Sequence, residues 1–173
     1  MKEKKLFKVC LYGAESTGKT TLCERLAVHY KTVFVPEMAR TVLGDKKCVA
    51  EDFPAIAYAQ FGEVARQSLY ANKVLICDTD LLVTKVYEEH YFGFVHAEVT
   101  DLQRLEFYDL YLVCDTDIPW IQDAQRDLGH LREEMKAKFC YELESRNILF
   151  YWIRGNYEER FETAVQLIDD LIF

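Results

Sequence analysis

No stretch of these 173 residues approaches the roughly 20 consecutive apolar positions of a membrane-spanning helix, although half of the chain is hydrophobic. No membrane partner is expected. The basic lead MKEKK runs into only a short apolar stretch that ends at a glycine loop, which reads as a first strand and not as a secretory signal. Positive charge is also scarce: 21 Lys and Arg stand against 29 Asp and Glu, a formal net charge of -8. Gripping nucleic acid over a broad surface needs clustered Lys and Arg, so no nucleic-acid partner is expected. A local pocket can still supply positive charge to a phosphorylated ligand. The six cysteines form no CxxC pair and no Cys/His set at zinc spacing. Cys10, Cys77 and Cys114 lie inside apolar runs, as buried reduced thiols do, and imply a cytoplasmic setting. Glycine and proline, 7 and 3 in number, nowhere gather into a linker, and there is no repeat or low-complexity tract. The length suits one well-buried core and is too short for two ordinary domains, so a single domain over residues 1–173 is expected.

What is present is alternation. FKVCLYG, TVFVPE, KVLICDTD, DLYLVCDTD and ILFYWIRG read as strands. KTTLCERLAVHY, EDFPAIAYAQFGEVARQSLYAN, LLVTKVYEEHYFG, VHAEVTDLQRLEFY and NYEERFETAVQLIDDLIF carry apolar residues at helical spacing. Residues 118 to 146 are highly charged, again with helical spacing. Apolar strands alternating with helices predict a mostly parallel sheet of about five strands covered on both faces, a three-layer α/β fold. Ligand chemistry is then expected at the carboxyl ends of the strands.

Gly13-Ala14-Glu15-Ser16-Thr17-Gly18-Lys19-Thr20 matches the phosphate-loop pattern GxxxxGK[ST] at every fixed position, and it follows a strand and opens a helix. Glycines let the backbone curl so that successive N–H groups face one anion at a helix N-terminus. Lys19 is expected at the β- and γ-phosphates and the Thr20 hydroxyl on Mg²⁺. Ala14-Glu15 breaks the GxGxxG spacing of dinucleotide folds. The one Asn-Lys pair, Asn72-Lys73, precedes a strand and cannot serve as a guanine-reading NKxD, so ATP is favoured over GTP. The fold expected is therefore that of a P-loop NTPase.

Three further groups fall at strand ends. Asp78, closing the third strand, is placed to join the magnesium shell, while Asp80 reads as a helix cap and Thr84 as a helix residue with no other duty. Glu37 and Arg40, after the second strand, suit an attacking hydroxyl and a transferring phosphoryl group, or equally a surface ion pair. The charged segment between the fourth and fifth strands, approximately 117–146, is expected to be a helical lid, with Arg126 pointing inward to developing charge and Arg132 solvated.

Taken together, GAESTGKTTL, PEMAR, AYAQF, ANKVLICDTDLLVTKVY, YDLYLVCDTDIPWIQDAQRDLG and NYEERF resemble, in order and over nearly the whole chain, the ribosylnicotinamide kinase domain at the C-terminus of NadR-type NAD biosynthesis proteins. The phosphate loop alone identifies a superfamily. The combination of E-x-x-R, D-T-D-x-x-x-T and PW-x-x-D-x-x-R is far more specific. The resemblance implies ATP-dependent phosphorylation of the ribose 5′-hydroxyl of nicotinamide riboside, with Mg²⁺. It implies Lys19, Glu37, Arg40 and Arg126 as catalytic residues and Thr20 and Asp78 as metal ligands. Gly13, Ala14, Glu15, Ser16, Thr17, Gly18, Lys19, Thr20 and Thr21 would hold the phosphates, with Gly155 and Tyr157 bordering adenine by analogy. Glu37, Arg40, Gln60, Asp80, Trp120 and Asp123 would meet the acceptor, Trp120 either stacking on a ring or anchoring the lid. Pro36 and Met38 stand where family members often carry an aromatic, which implies a different ring or different packing on that side. Bifunctional members carry an adenylyltransferase domain upstream; 173 residues leave no room for one, so a separate enzyme is expected to complete NAD. Two other readings stay open: a kinase for another nucleoside or for a nucleoside monophosphate, the latter wanting more arginines than Arg40 on the acceptor side, and an ATP-binding sensor.

Overall fold

The computed structural model describes residues 5–121 and 128–173. In chain order the elements are β1 (Phe7–Tyr12), α1 (Lys19–Tyr30), β2 (Phe34–Val35), α2 (Met38–Leu43), α3 (Asp52–Ser68), β3 (Val74–Asp78) and α4 (Leu81–Phe92). They continue as α5 (Ala97–Leu105), β4 (Leu110–Cys114), a 3₁₀ turn (Gly129–Leu131), α6 (Arg132–Ser145), β5 (Phe150–Ile153) and α7 (Tyr157–Ile172). The sheet runs β2-β3-β1-β4-β5 and every pairing in it is parallel. β1 lies at its centre, and the chain builds first to one side of it and then to the other. That reversal opens a crevice at the carboxyl end of β1, the place where open parallel sheets bind ligands.

The side-chain period of two explains why the central strands read as unbroken apolar runs. Cys10, Tyr12, Leu75, Cys77, Tyr111 and Val113 face Val64 of α3, Leu82 and Val86 of α4, and Met135, Phe139 and Leu143 of α6. Their alternates Val9, Leu11, Val74, Ile76, Leu110, Leu112 and Cys114 face Leu22, Cys23 and Leu26 of α1 and Ala164 and Ile168 of α7. Both faces are thus buried, and the strands need apolar residues throughout. Cys10, Cys23, Cys77 and Cys114 are free and buried, and burial pushes each thiol up in pKa. Among the described residues no helix is long and apolar enough to cross a membrane.

Three local features differ from the sequence-based expectation. β2 is two residues long, because Pro36 cannot donate to a ladder. The PEMAR stretch opens a helix unforeseen in the sequence, α2, with Glu37 as its N-cap residue. Before α6 the described residues 118–121 and Leu128 are not helical and Gly129 opens a 3₁₀ turn, Gly129 sitting so close to the Trp120 ring that a Cβ there would collide with it. Helix ends follow local chemistry more faithfully. Asp80 caps α4 by accepting from the Val83 amide at 3.0 Å, and Asn156 with Glu159 forms a capping box on α7. Each such cap is worth about 1 kcal/mol.

Candidate active site

α1 begins without a side-chain cap and with no acidic residue in its first turn. Its first amides are therefore left for an anion from outside the helix. The loop that leads into it is held in an unrelaxed shape, with Gly13 at φ 128°, Ser16 at φ 54° and Gly18 at φ 79°. Gly13 is required twice over, since a Cβ at this position would also lie 2.8 Å from the Cys114 carbonyl oxygen. Thr17 Oγ1 donates to the Ala14 carbonyl at 2.8 Å. Lys19 Nζ curls back over the loop and donates to the Gly13 and Ala14 carbonyls at 3.0 and 2.8 Å. The ammonium is thus already stationed over the concavity, beside the place where phosphate oxygens would accept from it.

In the β1–β3 register Leu11 stands opposite Asp78, which brings the end of β3 level with the root of the phosphate loop. Thr20 Oγ1 donates to Asp78 Oδ2 at 2.5 Å. Asp78 is 1% exposed, and its Oδ1 has no hydrogen-bond partner among the described residues. Burial raises its pKa, opposed by Lys19, the Thr20 hydroxyl and Arg40. A buried carboxylate oxygen without a partner is costly, and a hydroxyl plus such an oxygen is the donor set a divalent cation takes in a phosphate-loop protein. Thr79, between the two acids, is a β-branched residue at φ 73°. That conformation costs on the order of 1–3 kcal/mol and turns Asp78 toward Thr20 while Asp80 turns into α4.

Asp80 is accordingly a correction to the acceptor-binding expectation. One oxygen accepts from the Val83 amide and the other from the Tyr111 hydroxyl at 2.9 Å. It lies 1% exposed behind the site, with burial pushing its pKa up to about 6. Gln60 also departs from expectation. It is buried and does not line the cavity; its Oε1 accepts from the Met38 amide at 2.9 Å, which fixes the start of α2 and so the position of Glu37.

Glu37 and Arg40 line one cavity of about 570 Å³ together with Lys19 and Thr20, a size suited to small ligands. Away from the phosphate loop the walls become aromatic: Phe53 from α3 and Tyr87, Tyr91 and Phe92 from α4. Tyr87 and Tyr91 are stacked at 6.1 Å between centroids. The Tyr87 phenol is pushed well up in pKa by burial and by the nearby charges of Glu37 and Glu15. The spacing Val83, Thr84, Tyr87, Tyr91 is one face of a helix and was the available signal for this wall, Thr84 included among the lining residues. Lys46 and Lys47 add basic groups to the rim, Lys46 being paired with Asp52 at 2.5 Å.

The segment after β4 is tied to the phosphate loop by its side chains. Glu15 Oε1 accepts from Trp120 Nε1 at 3.3 Å and from the Leu128 amide at 2.9 Å, and Ser16 Oγ accepts from the Ile121 amide at 2.8 Å. Trp120 is therefore placed as an anchor outside the cavity lining. Arg132, expected in solvent, points inward: its guanidinium donates to the Ile118 carbonyl at 3.1 Å and to the Ser16 carbonyl at 3.3 Å. Arg126 and Asp123 lie outside the described residues. Tyr157 lines the cavity and Gly155 does not; the Gly155 amide donates to Asp117 Oδ2 at 2.6 Å. Ala14 is buried in the loop and Thr21 is on the cavity wall.

A residue missed in the sequence is Arg160 of α7, 2% exposed. It donates to the Thr17 carbonyl at 2.9 Å, the Asp115 carbonyl at 3.0 Å and the Gly155 carbonyl at 2.8 Å, and pairs with Asp117. Its place in a charged amphipathic helix gave no sign of burial.

The chain matches the model of a family described as AAA domain over residues 8–160. It is 31% identical over 175 aligned positions to the trifunctional NAD biosynthesis/regulator protein NadR of Escherichia coli (strain K12), and 30% to the NadR of Salmonella typhimurium. Each alignment takes in 95% of this chain but 42% of the relative, so the chain spans under half the length of these curated relatives. Among solved structures, NadR protein in complex with NAD and AMP-PNP superposes with a TM-score of 0.76 at 25% identity, covering 95% of this chain and 49% of that one. NadR protein in complex with NR gives 0.79 at 24% identity, covering 96% and 50%. Thymidylate kinase from Ehrlichia chaffeensis gives 0.67 at 17% identity, covering 96% and 98%. The fold is that of the P-loop kinases.

Proposed function

The chain belongs to the AAA domain family, and from that premise we propose that it is an ATP-dependent kinase that phosphorylates the ribose 5′-hydroxyl of nicotinamide riboside, giving nicotinamide mononucleotide. One observation carries this reading: a single cavity joins the phosphate loop, through Glu37 and Arg40, to a wall of Phe53, Tyr87, Tyr91 and Phe92. The riboside presents a cationic pyridinium ring, which aromatic faces attract, and a primary hydroxyl that must meet the γ-phosphate. The aromatic wall comes from α3 and α4, so Pro36 and Met38 can be apolar without leaving the ring unsupported. The relatives named above, NAD biosynthesis proteins and a structure in complex with NR, support the same acceptor.

Lys19 and the loop amides hold the β- and γ-phosphates of ATP. Thr20 and Asp78 would hold a magnesium ion, which when bound neutralises charge on the phosphate oxygens. Glu37 accepts a hydrogen bond from the acceptor hydroxyl and aligns its lone pair with phosphorus, and Arg40 meets the transferring group. α6 packs into the core through Met135, Phe139 and Leu143, so the lid expected over 117–146 reduces to the residues before that helix, anchored at their base by Trp120. Glu37→Ala is expected to lower kcat by about 10²-fold or more, while the dissociation constant for ATP stays within about twofold. Steady-state rates beside ATP titration would check this, and an equal loss in both would remove Glu37 from the acceptor.

A nucleoside monophosphate acceptor is the second reading, favoured by Lys46 and Lys47 at the rim beside Arg40. ADP production with Mg-ATP over a panel of ribosides and monophosphates separates the two. Nicotinamide riboside is expected to give the highest kcat/KM. Stimulation by a monophosphate alone would transfer the assignment to the second reading, and no stimulation by any acceptor would end both in favour of an ATP-binding sensor.

A further inference from the structure

Two arginines that are absent from the cavity lining bond the phosphate loop on its outer side. Arg160 Nη1 donates to the Thr17 carbonyl and Arg132 Nη2 to the Ser16 carbonyl. A trans peptide unit sets its C=O and the following N–H in opposite directions. A carbonyl drawn outward by a guanidinium therefore turns the next amide inward. The amide paired with the Ser16 carbonyl is that of Thr17, and the amide paired with the Thr17 carbonyl is that of Gly18. Both residues line the cavity. This stretch includes Ser16 and Gly18 in the left-handed region, a shape that persists only when its surroundings fix it.

The two arginines reach the loop from distant elements. Arg160 lies 143 positions from Thr17 and Arg132 lies 116 from Ser16. Four carbonyl or carboxylate oxygens, on Thr17, Asp115, Gly155 and Asp117, share the Arg160 guanidinium. That one planar group keys the phosphate loop to the end of β4 and to the turn before α7, a geometry an ammonium cannot reproduce. Arg132 in turn joins the loop to Ile118, at the base of the β4–β5 segment.

We propose that Arg160 and Arg132 are positioning residues: by holding the Thr17 and Ser16 carbonyls outward they aim the Gly18 and Thr17 amides at the phosphates, and so set the affinity for the polyphosphate chain. The proposal rests on the ATP-binding half of the proposed function and is independent of the acceptor. Calorimetric titration of the full chain with ATP and with inorganic tripolyphosphate tests it, in the unaltered protein and in Arg160→Lys, Arg132→Met and Arg132→Lys. Arg160→Lys is expected to weaken both ligands by about tenfold or more, the loss of charge-assisted bonds to backbone. Arg132→Met, at a half-buried site, is expected to weaken them by about fivefold, with part of the affinity restored in Arg132→Lys. The KM for the acceptor should move by less than about twofold in each, whereas general loosening would raise it in parallel.

Folded variants that bind both ligands as the unaltered protein does would overturn the proposal. So would a matching rise in acceptor KM. Should Arg160→Lys fail to fold, the two Arg132 variants decide the matter alone. An unaltered protein that binds neither ATP nor tripolyphosphate would remove the phosphate site itself, and this proposal with it; binding of both without any acceptor activity would remove only the acceptor.

Discussion

Lys19→Ala is expected to reduce phosphoryl transfer by about 10³-fold or more, the scale of losing a preorganised charge at the reacting group. In the loop the Lys19 ammonium rests on the Gly13 and Ala14 carbonyls at 3.0 and 2.8 Å. A phosphate entering the concavity offers it charged oxygens in place of neutral ones, a stronger bond made by a short movement. Removing the side chain leaves the amides in place, so ATP binding should weaken but persist while turnover collapses. The charge Lys19 meets grows toward the transition state, which is why kcat suffers most. ADP release with Mg-ATP and nicotinamide riboside reads the rate, and circular dichroism confirms that the half-buried substitution leaves the fold intact. Transfer at a tenth of the normal rate or better would dismiss the loop as the phosphate site.

Asp78→Asn is the second large expected effect, with turnover lowered by about 10²-fold or more and the requirement for magnesium shifted to higher concentration. Asp78 is buried, accepts a hydrogen bond from the Thr20 hydroxyl on Oδ2, and keeps Oδ1 without a partner among the described residues. An amide of equal size keeps the packing and one acceptor but removes the negative charge that makes Thr20 and Asp78 attractive to a divalent cation. Because burial penalises the carboxylate, the substitution should not destabilise the empty protein, and its melting temperature should equal or exceed that of the parent. Initial rates over a range of free magnesium at fixed ATP provide the check. An unchanged magnesium curve with near-normal turnover would remove Asp78 from the metal site.

Both effects concern residues that could be named from the order of amino acids. Lys19 and Thr20 stand in a contiguous motif whose residue pattern is complete within eight positions, although arginines from distant elements help to hold the loop in shape. Asp78 was legible because an acid that ends an unbroken apolar strand has one place to go, the carboxyl edge of a parallel sheet. The sheet itself was legible from the apolar runs and their alternation with helices.

Other residues were misplaced, and for a shared reason. Gln60 was expected against the acceptor; it is buried behind the cavity, where its side chain accepts from the Met38 amide at the start of α2. Asp80 shares a D-T-D stretch with Asp78, yet the left-handed turn at Thr79 sends the two carboxylates to different tasks. Arg132 reads as a solvated charge, and the sequence gives no reading of Arg160. Each is drawn inward by carbonyls more than a hundred positions away, whose orientation no local pattern encodes. The aromatic wall of α3 and α4 was written at helical spacing, but which face of a helix meets a cavity depends on what packs behind it.

The sequence by itself determined the phosphate loop, the parallel three-layer architecture and the acid at the end of β3, since each follows from short-range periodicity or from a motif complete within a few residues. Only the tertiary structure decided where the aromatic wall stands, which residues of the acceptor expectation are buried behind it, and that Arg132 and Arg160 turn inward. Those outcomes depend on where separate segments of backbone leave carbonyls and amides to be satisfied, and that is known only once the elements have packed.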